Sequence, residues 1–219
     1  AGTRIAPTLR HPDAALFEAL KIFRLRRELK EVSVPGDREE KLLVVESEKR
    51  PGIEYYKNNA LHALFKPAFV ASSLLACNET SITSETIERD YSFMMRVFKY
   101  EFAYDADWPV KREVEKVLDI FRQWGLVNET TSDEESGEKT LWAITPKGRD
   151  ILPVFSGQVE NFIEAYLFTV EIMPEICGHD SLERNEIAKK LLQKGYKAYH
   201  LGRIKRRESV SSVTFRNAL

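Results

Sequence analysis

The sequence predicts a mainly α protein with small β-hairpins: a helical domain that contains a winged-helix module, with a second, degenerate helix-plus-wing repeat at the N-terminus. Three observations predict it. Apolar residues recur at helical spacing over most of the chain, and β-rich runs are short. Residues 107–152 run in the order helix, short strand, polar tip, return strand, "TPKG", helix, which is the order of a winged helix. A shift of 98 residues lays "LKIFR" (Leu20–Arg24) on "LDIFR" (Leu118–Arg122), and "KLLVVESEKR" (Lys41–Arg50) on "KTLWAITPKG" (Lys139–Gly148).

The elements follow in order. Pro12–Lys30 reads as a helix with Leu16, Leu20, Ile22 and Phe23 at helical spacing. "VPGDREE" (Val34–Glu40) is a charged turn, and "KLLVVES" (Lys41–Ser47) a strand. Gly52–Ala76 is a long helix, broken or kinked near Pro67, because proline removes an amide donor and crowds the preceding turn. Thr83 or Ser84 starts a helix that runs to about Tyr100, with Ile87, Tyr91, Met94, Met95, Phe98 and Phe102 on its apolar face.

Asp107 caps the next helix, and Pro109 sits in its first turn. Val114, Val117, Leu118 and Phe121 form the buried stripe, and Gly125 ends the helix in a left-handed position. Leu126-Val127 opens a strand, "TSDEESGEK" is a loose tip, "TLWAI" is the return strand, and Thr145 starts a helical turn. Val159–Ile172 is helical, with Phe162, Ala165, Tyr166 and Thr169 inward, and "PEICGHDS" breaks it. Leu182–Gln193 follows, and a last helix runs from about Ser211 to Leu219. The chain thus divides into 1–53 (degenerate helix-plus-wing), 54–104 (helical), 105–153 (winged helix) and 154–219 (helical).

Composition narrows the function classes. At 219 residues with 43% apolar and 31% charged residues, the chain is globular rather than disordered. Its formal net charge of -1 gives no global field to attract nucleic acid or anionic lipid, so such contacts are local. Cys77 and Cys177 fit neither a disulfide framework nor a metal site, and read as reduced thiols of an intracellular protein. Ala60–Ala76 is too short and too polar, with His62, Lys66 and Pro67, to span a bilayer. The chain opens without an initiator Met and reads as a fragment.

DNA is the first partner a winged helix suggests. Here the helix that enters the groove mixes Lys111, Arg112, Lys116 and Arg122 with Glu113, Glu115 and Asp119. The wing tip carries Asp133, Glu134, Glu135 and Glu138, the wrong sign for phosphate contacts. Catalysis needs a convergent set, and His11, His62, His179 and His200 lack neighbours at metal spacing; no phosphate loop is present and no cofactor is expected.

One segment has a suggestive polar face. In "YYKNNALHALFKP", Tyr55, Tyr56, Asn58, Asn59 and His62 precede a plain core run. Tyr55, Asn58 or Asn59, His62 and Lys66 share a helix face, either a ligand face or a hydrogen-bonded seam. Without a carboxylate in the segment to orient the imidazole, the seam is expected. Two basic clusters remain: Lys21, Arg24, Arg26, Arg27 and Arg203, Lys205, Arg206, Arg207. They are solvated helix faces, or contacts to an anionic membrane surface.

These motifs resemble a family. "YYKNNALHALFKPAFVASSLL", "FMMRVFKYEFAY", "VLDIFRQWGLV" with its wing, and "LGRIKRRESVSSVTFRNAL" are similar, in that order, to the C-terminal region of glycerol-3-phosphate and dihydroxyacetone-phosphate acyltransferases. The likeness covers Gly52–Leu219 and, more loosely, Ala14–Arg50. It implies membrane-peripheral enzymes of phospholipid biosynthesis that acylate the 1-position of glycerol 3-phosphate through a His-x-x-x-x-Asp motif. Here the residues five beyond the four histidines are Leu16, Pro67, Arg184 and Lys205, so no catalytic residue carries over. The resemblance implies a non-catalytic accessory region, with Tyr55, Tyr56, Asn58, Asn59 and His62 in a structural seam or facing the acyltransferase domain, its expected partner. The alternative is a tandem winged-helix protein that binds nucleic acid or a protein.

Overall fold

In a computed structural model, residues 12–33, 41–46, 48–77, 79–104, 109–134, 137–177 and 182–219 are described. The described residues are mainly helical, with eight α-helices and small antiparallel hairpins. The chain divides into two units, residues 1–59 and 60–219.

In the first unit, α1 (Pro12–Leu25) stops five residues short of the expected Lys30. The reason is Arg27, which takes a left-handed backbone at φ 55°. The amides of Arg27 and Glu28 then close back on the carbonyls of Arg24 and Phe23, both at 2.9 Å. This closure satisfies carbonyls that the helix end would otherwise leave open. The chain is freed to form β1 (Lys30–Ser33), which pairs antiparallel with β2 (Lys41–Val44) in the register Lys30↔Val44 to Ser33↔Lys41. The turn expected at Val34–Glu40 lies outside the described residues. Of the apolar stripe expected on α1, Leu20 and Phe23 are half-buried, whereas Leu16 and Ile22 are exposed.

The long helix α2 (Arg50–Ala76) runs through Pro67 as one element, so of the break or kink expected there the break does not occur. A proline inside a helix costs about 3 kcal/mol. Burial offsets this here. Leu61, Phe65, Ala68, Phe69, Ala71 and Leu74 are all buried, and each large side chain contributes roughly 1.5–3 kcal/mol.

The two-residue strand β3 (Ile82–Thr83) leads into α3 (Ser84–Val97). Thr83 caps that helix, its hydroxyl oxygen accepting the Thr86 amide at 3.2 Å. On the expected apolar face, Ile87, Tyr91, Phe98 and Phe102 are buried, and Met94 and Met95 are half-buried.

α4 (Val110–Gln123) begins after Pro109, which is the cap residue itself, with extended φ −60° and ψ 134°, rather than part of the first turn. Asp107, the expected cap, lies outside the described residues. Val114, Val117, Leu118 and Phe121 are buried as expected, and Gly125 ends the helix at φ 68°. The Lys147 ammonium donates to the Trp124 carbonyl at 2.8 Å, a cation at the negative end of the helix.

β4 (Val127–Glu134) and β5 (Gly137–Ile144) pair along their full length, from Val127↔Ile144 to Glu134↔Gly137, and β3 pairs with β5 on the other side. The hairpin therefore extends into the acidic stretch expected to be a loose tip. A ladder is carried by backbone hydrogen bonds, and the β-branched Thr130, Thr131 and Thr140 favour it. The Thr145 hydroxyl donates to the Gly125 carbonyl at 2.8 Å and accepts the Gly148 amide at 2.9 Å. It thereby starts α5 (Pro146–Ser156) and ties it to the end of α4.

α6 (Glu160–Cys177) continues through Pro174, past the expected break, and α7 (Arg184–His200) continues through Gly195, past the expected end at Gln193. Gly195 faces the Phe215 ring and Val210, where a β-carbon would come within 3.1–3.2 Å. A close helix crossing, not a helix end, explains this glycine. Ser211 caps α8 (Ser212–Ala218).

Two clusters form the core of the second unit. One joins α2, α3, α4, the strands, α5 and the start of α6, with Phe65, Phe69, Phe98, Phe102 and Phe162 in mutual ring contact. The other joins the rest of α6 to α7 and α8 around Phe168, Leu191 and Phe215. α6 belongs to both.

The 98-residue offset has structural counterparts. α1 and α4 are both 14 residues long and start 98 residues apart. Arg26, Arg27 and Glu28 donate to Ile22, Arg24 and Phe23; 98 residues on, Trp124, Gly125 and Leu126 donate to Ile120, Arg122 and Phe121. The hairpin registers differ by one residue: Lys30↔Val44 projects onto Asn128 and Trp142, whereas Asn128 pairs with Ala143.

Candidate functional site

The expected seam lies on the first half of α2. The side chains of Tyr55, Tyr56, Asn58, Asn59 and His62 lie outside the described residues, as do His11 and His179. His200 is exposed at the end of α7, its ring against that of Tyr199. Among the described residues no group of three His, Cys, Asp or Glu side chains is arranged to hold a metal, and no helix is long and apolar enough to cross a membrane.

The structure assembles three other polar constellations. In the first, Lys66 on α2 forms an ion pair with the buried Glu113 on α4, beside a small void lined by Phe65, Tyr91, Met95 and Tyr104. Burial, aided by the Glu113 charge, pushes the Tyr91 hydroxyl well above the ordinary tyrosine value. That tyrosine stays protonated and is no base.

In the second, the Tyr166 hydroxyl on α6 donates to Glu101 at 3.2 Å, and Asn217 on α8 bonds to the same carboxylate and to the Tyr100 carbonyl. Burial raises the Glu101 pKa, and these two hydrogen bonds oppose the rise without cancelling it.

In the third, Glu164 on α6 receives the Lys205 amide at 2.6 Å, the Arg206 amide at 3.1 Å and the Ser209 hydroxyl at 2.5 Å. One carboxylate thus holds the segment between α7 and α8. The flanking acids of α6 pair with the same segment, Glu171 with Arg203 at 2.6 Å and Glu160 with Arg206. Two of the four cations in the second basic cluster are therefore neutralised locally, while Lys205 and Arg207 stay exposed.

None of these sets joins a nucleophile to a base. A cavity of about 440 Å³ between α2, β5 and α5 holds Cys77, Trp142 and Arg149. The Cys77 thiol there is directed at the Glu79 and Ser81 carbonyls, and the Trp142 indole N–H is donated to Ser84 at 2.9 Å. These constellations hold the fold together.

The sequence reading missed Glu101, Glu113 and Glu164. A signal existed for two of them. Glu113 sits one helical turn before Val117 and two before Phe121, within the apolar stripe. Glu160 and Glu164, one turn apart, form an acidic line in an otherwise apolar helix, matched by the basic "RIKRR" downstream.

The first unit presents a different kind of surface. Phe17 and Leu25 on α1 are 74% and 76% exposed, and Leu42 on β2 is 52% exposed. Lys21, Arg26 and Arg27 are exposed among them, and Arg24 pairs with Glu31 at 2.5 Å.

Compared with known families, the chain matches the glycerol-3-phosphate acyltransferase C-terminal region over residues 1–219. No curated protein matches it.

Proposed function

The chain belongs to the family of the glycerol-3-phosphate acyltransferase C-terminal region, and from that premise we propose that it is a non-catalytic accessory region supporting the acyltransferase domain of the same enzyme. That enzyme makes 1-acylglycerol 3-phosphate in phospholipid biosynthesis. The observation that carries the reading is the match over the whole chain, in a sequence where no histidine opens a His-x-x-x-x-Asp motif.

Within this reading, residues 105–153 are a winged helix used for packing, and residues 1–53 hold its degenerate copy. The equal helix lengths and the equivalent backbone closures at Arg27 and Gly125 support the copy. Nucleic acid is a poor partner, because Arg122 is bound to Asp119 at 2.9 Å and Glu129 at 3.0 Å, inside the module. A membrane-peripheral contact fits α1 better than the C-terminal cluster. Phe17, Lys21 and Leu25 follow one another at four-residue spacing and are all exposed, an apolar line with a cation in it.

The test is an acyl-transfer assay with acyl-CoA and glycerol 3-phosphate. The purified chain gives no product, and the full enzyme loses activity when this region is removed. Turnover by the chain alone overturns the reading. Sedimentation with anionic vesicles tests the membrane contact, with loss expected in Lys21→Glu and no loss in Arg206→Glu.

A further inference from the structure

We propose that the cavity between α2, β5 and α5 is a binding site for a small amphipathic anion, one carboxylate or phosphate group on a short aliphatic or aromatic body, with Arg149 as the residue that takes the charge. The cavity holds about 440 Å³, and its walls divide by chemistry. Leu75, Ile82, Trp142 and Ile144 supply an apolar side. Arg149 and the hydroxyl residues Thr80 and Ser81 supply a polar one. Small ligands occupy hollows of about 300–1,000 Å³ with this composition, largely apolar with a few polar groups that fix orientation. The Cys77 thiol is directed at the Glu79 and Ser81 carbonyls, and the Trp142 N–H is donated to Ser84. The thiol is thus engaged within the fold, and the Trp142 ring is a fixed wall for an apolar body.

Arg149 selects the sign of the ligand. It is the fourth residue of α5, near the positive end of the helix dipole, where a cation is unfavourable. Lys147, two residues earlier, meets the same penalty but donates to the Trp124 carbonyl at 2.8 Å. Arg149 has no such outlet. Among the described residues its guanidinium meets neither a carboxylate nor a carbonyl, and it lies exposed on the cavity wall. A cation set against the dipole and left without a partner does not serve the stability of α5. Its donors form a planar fork that matches a carboxylate or a phosphate. Glu79 is the acid among the lining residues, and it is exposed and not paired with Arg149. An anion therefore seats on the Arg149 side of the cavity, with its body along Trp142.

The experiment is titration calorimetry of the 219-residue chain with octyl phosphate and with nonanoate, both below their micellar concentrations. Octanol and inorganic phosphate serve as the separate halves of the ligand. Saturable binding of one amphiphile per chain is expected, and the tighter of the two identifies the head group. Each half alone is expected to bind weaker by about tenfold or more, the scale of one charge-assisted contact. Arg149→Gln is to bring the amphiphile down to the level of octanol, and Glu79→Gln is to tighten it. Lys189→Gln, on the exposed side of α7, is to leave it unchanged; Arg149 and Lys189 are both exposed, so neither change disturbs the core. In NMR spectra the Trp142 indole N–H signal is to shift with the same saturation. An amphiphile that binds no tighter than octanol overturns the proposal, as does full binding in Arg149→Gln. Equal loss in Lys189→Gln shows surface adsorption, weaker binding in Glu79→Gln shows a site for a cation, and an unmoved Trp142 signal places the ligand elsewhere; each of these overturns it too.

Discussion

Lys66 of α2 and Glu113 of α4 form an ion pair at the edge of the main core, and the two partners are unequally buried. The Glu113 side chain is 8% exposed and that of Lys66 is 35% exposed. Removing one partner therefore has different consequences on the two sides. Lys66→Met strands a buried carboxylate, which costs on the order of 3–5 kcal/mol. Glu113→Gln leaves an ammonium that can turn to water, with a cost of about 1–2 kcal/mol. Urea unfolding of the two variants is expected to rank them in that order, and equal losses contradict the unequal burial.

Glu164→Ala removes the acceptor for two backbone amides and a hydroxyl. Ser209 is fully buried, so its hydroxyl is left without a partner. The expected loss is about 2–4 kcal/mol, the scale of charge-assisted bonds to one carboxylate. Hydrogen exchange is to rise at residues 205–209 and α8 before it rises in α2 or α4. Uniform acceleration across the chain argues that Glu164 does not hold this segment in particular.

Glu101 gives the chain a pH dependence of definite sign. Burial holds its folded pKa above the unfolded value. The folded chain then binds this proton more tightly than the unfolded chain does. Stability is greatest below the ordinary carboxylate range and falls as pH rises from there through the raised folded value. Glu101→Gln removes the ionisable group while keeping an acceptor for Tyr166. Its melting temperature is expected to exceed that of the unsubstituted chain at neutral pH, with the gap closing in acid. A gap that widens in acid reverses the assignment.

Local chemistry made part of this fold legible. Thr83 or Ser84, and Thr145, read as helix starts because a short hydroxyl can accept a free amide, and Thr83 and Thr145 do so. Gly125 read as a helix end because its left-handed backbone excludes most residues. Arg27 occupies the same conformation with a side chain that gives no such signal, so the end of α1 was hidden. Pro174 and Gly195 misled for the opposite reason, since tertiary packing holds the helix through residues that break isolated helices. The polar constellations were hidden by distance along the chain. Glu101 meets Tyr166, and Glu164 meets Ser209, only after α6 is in place.

The last prediction separates two uses of glycine. At Gly125 the backbone lies at φ 68°, and a β-carbon added there would meet nothing within 4 Å. Gly125→Ala thus carries only the conformational cost of a left-handed alanine, about 1 kcal/mol. Gly148 has an ordinary φ but no room. A β-carbon there would lie 2.0 Å from the Leu126 carbonyl oxygen, which is backbone and itself accepts the Thr145 amide at 3.0 Å. Relief requires α5 to move off the end of α4, breaking the Thr145 bonds to Gly125 and Leu126. Gly148→Ala is therefore expected to cost more than about 4 kcal/mol, in the range reserved for overpacking with loss of a network. Thermal and urea unfolding of both variants decide it. A Gly148→Ala protein as stable as Gly125→Ala shows that α5 does not press on Leu126 as described.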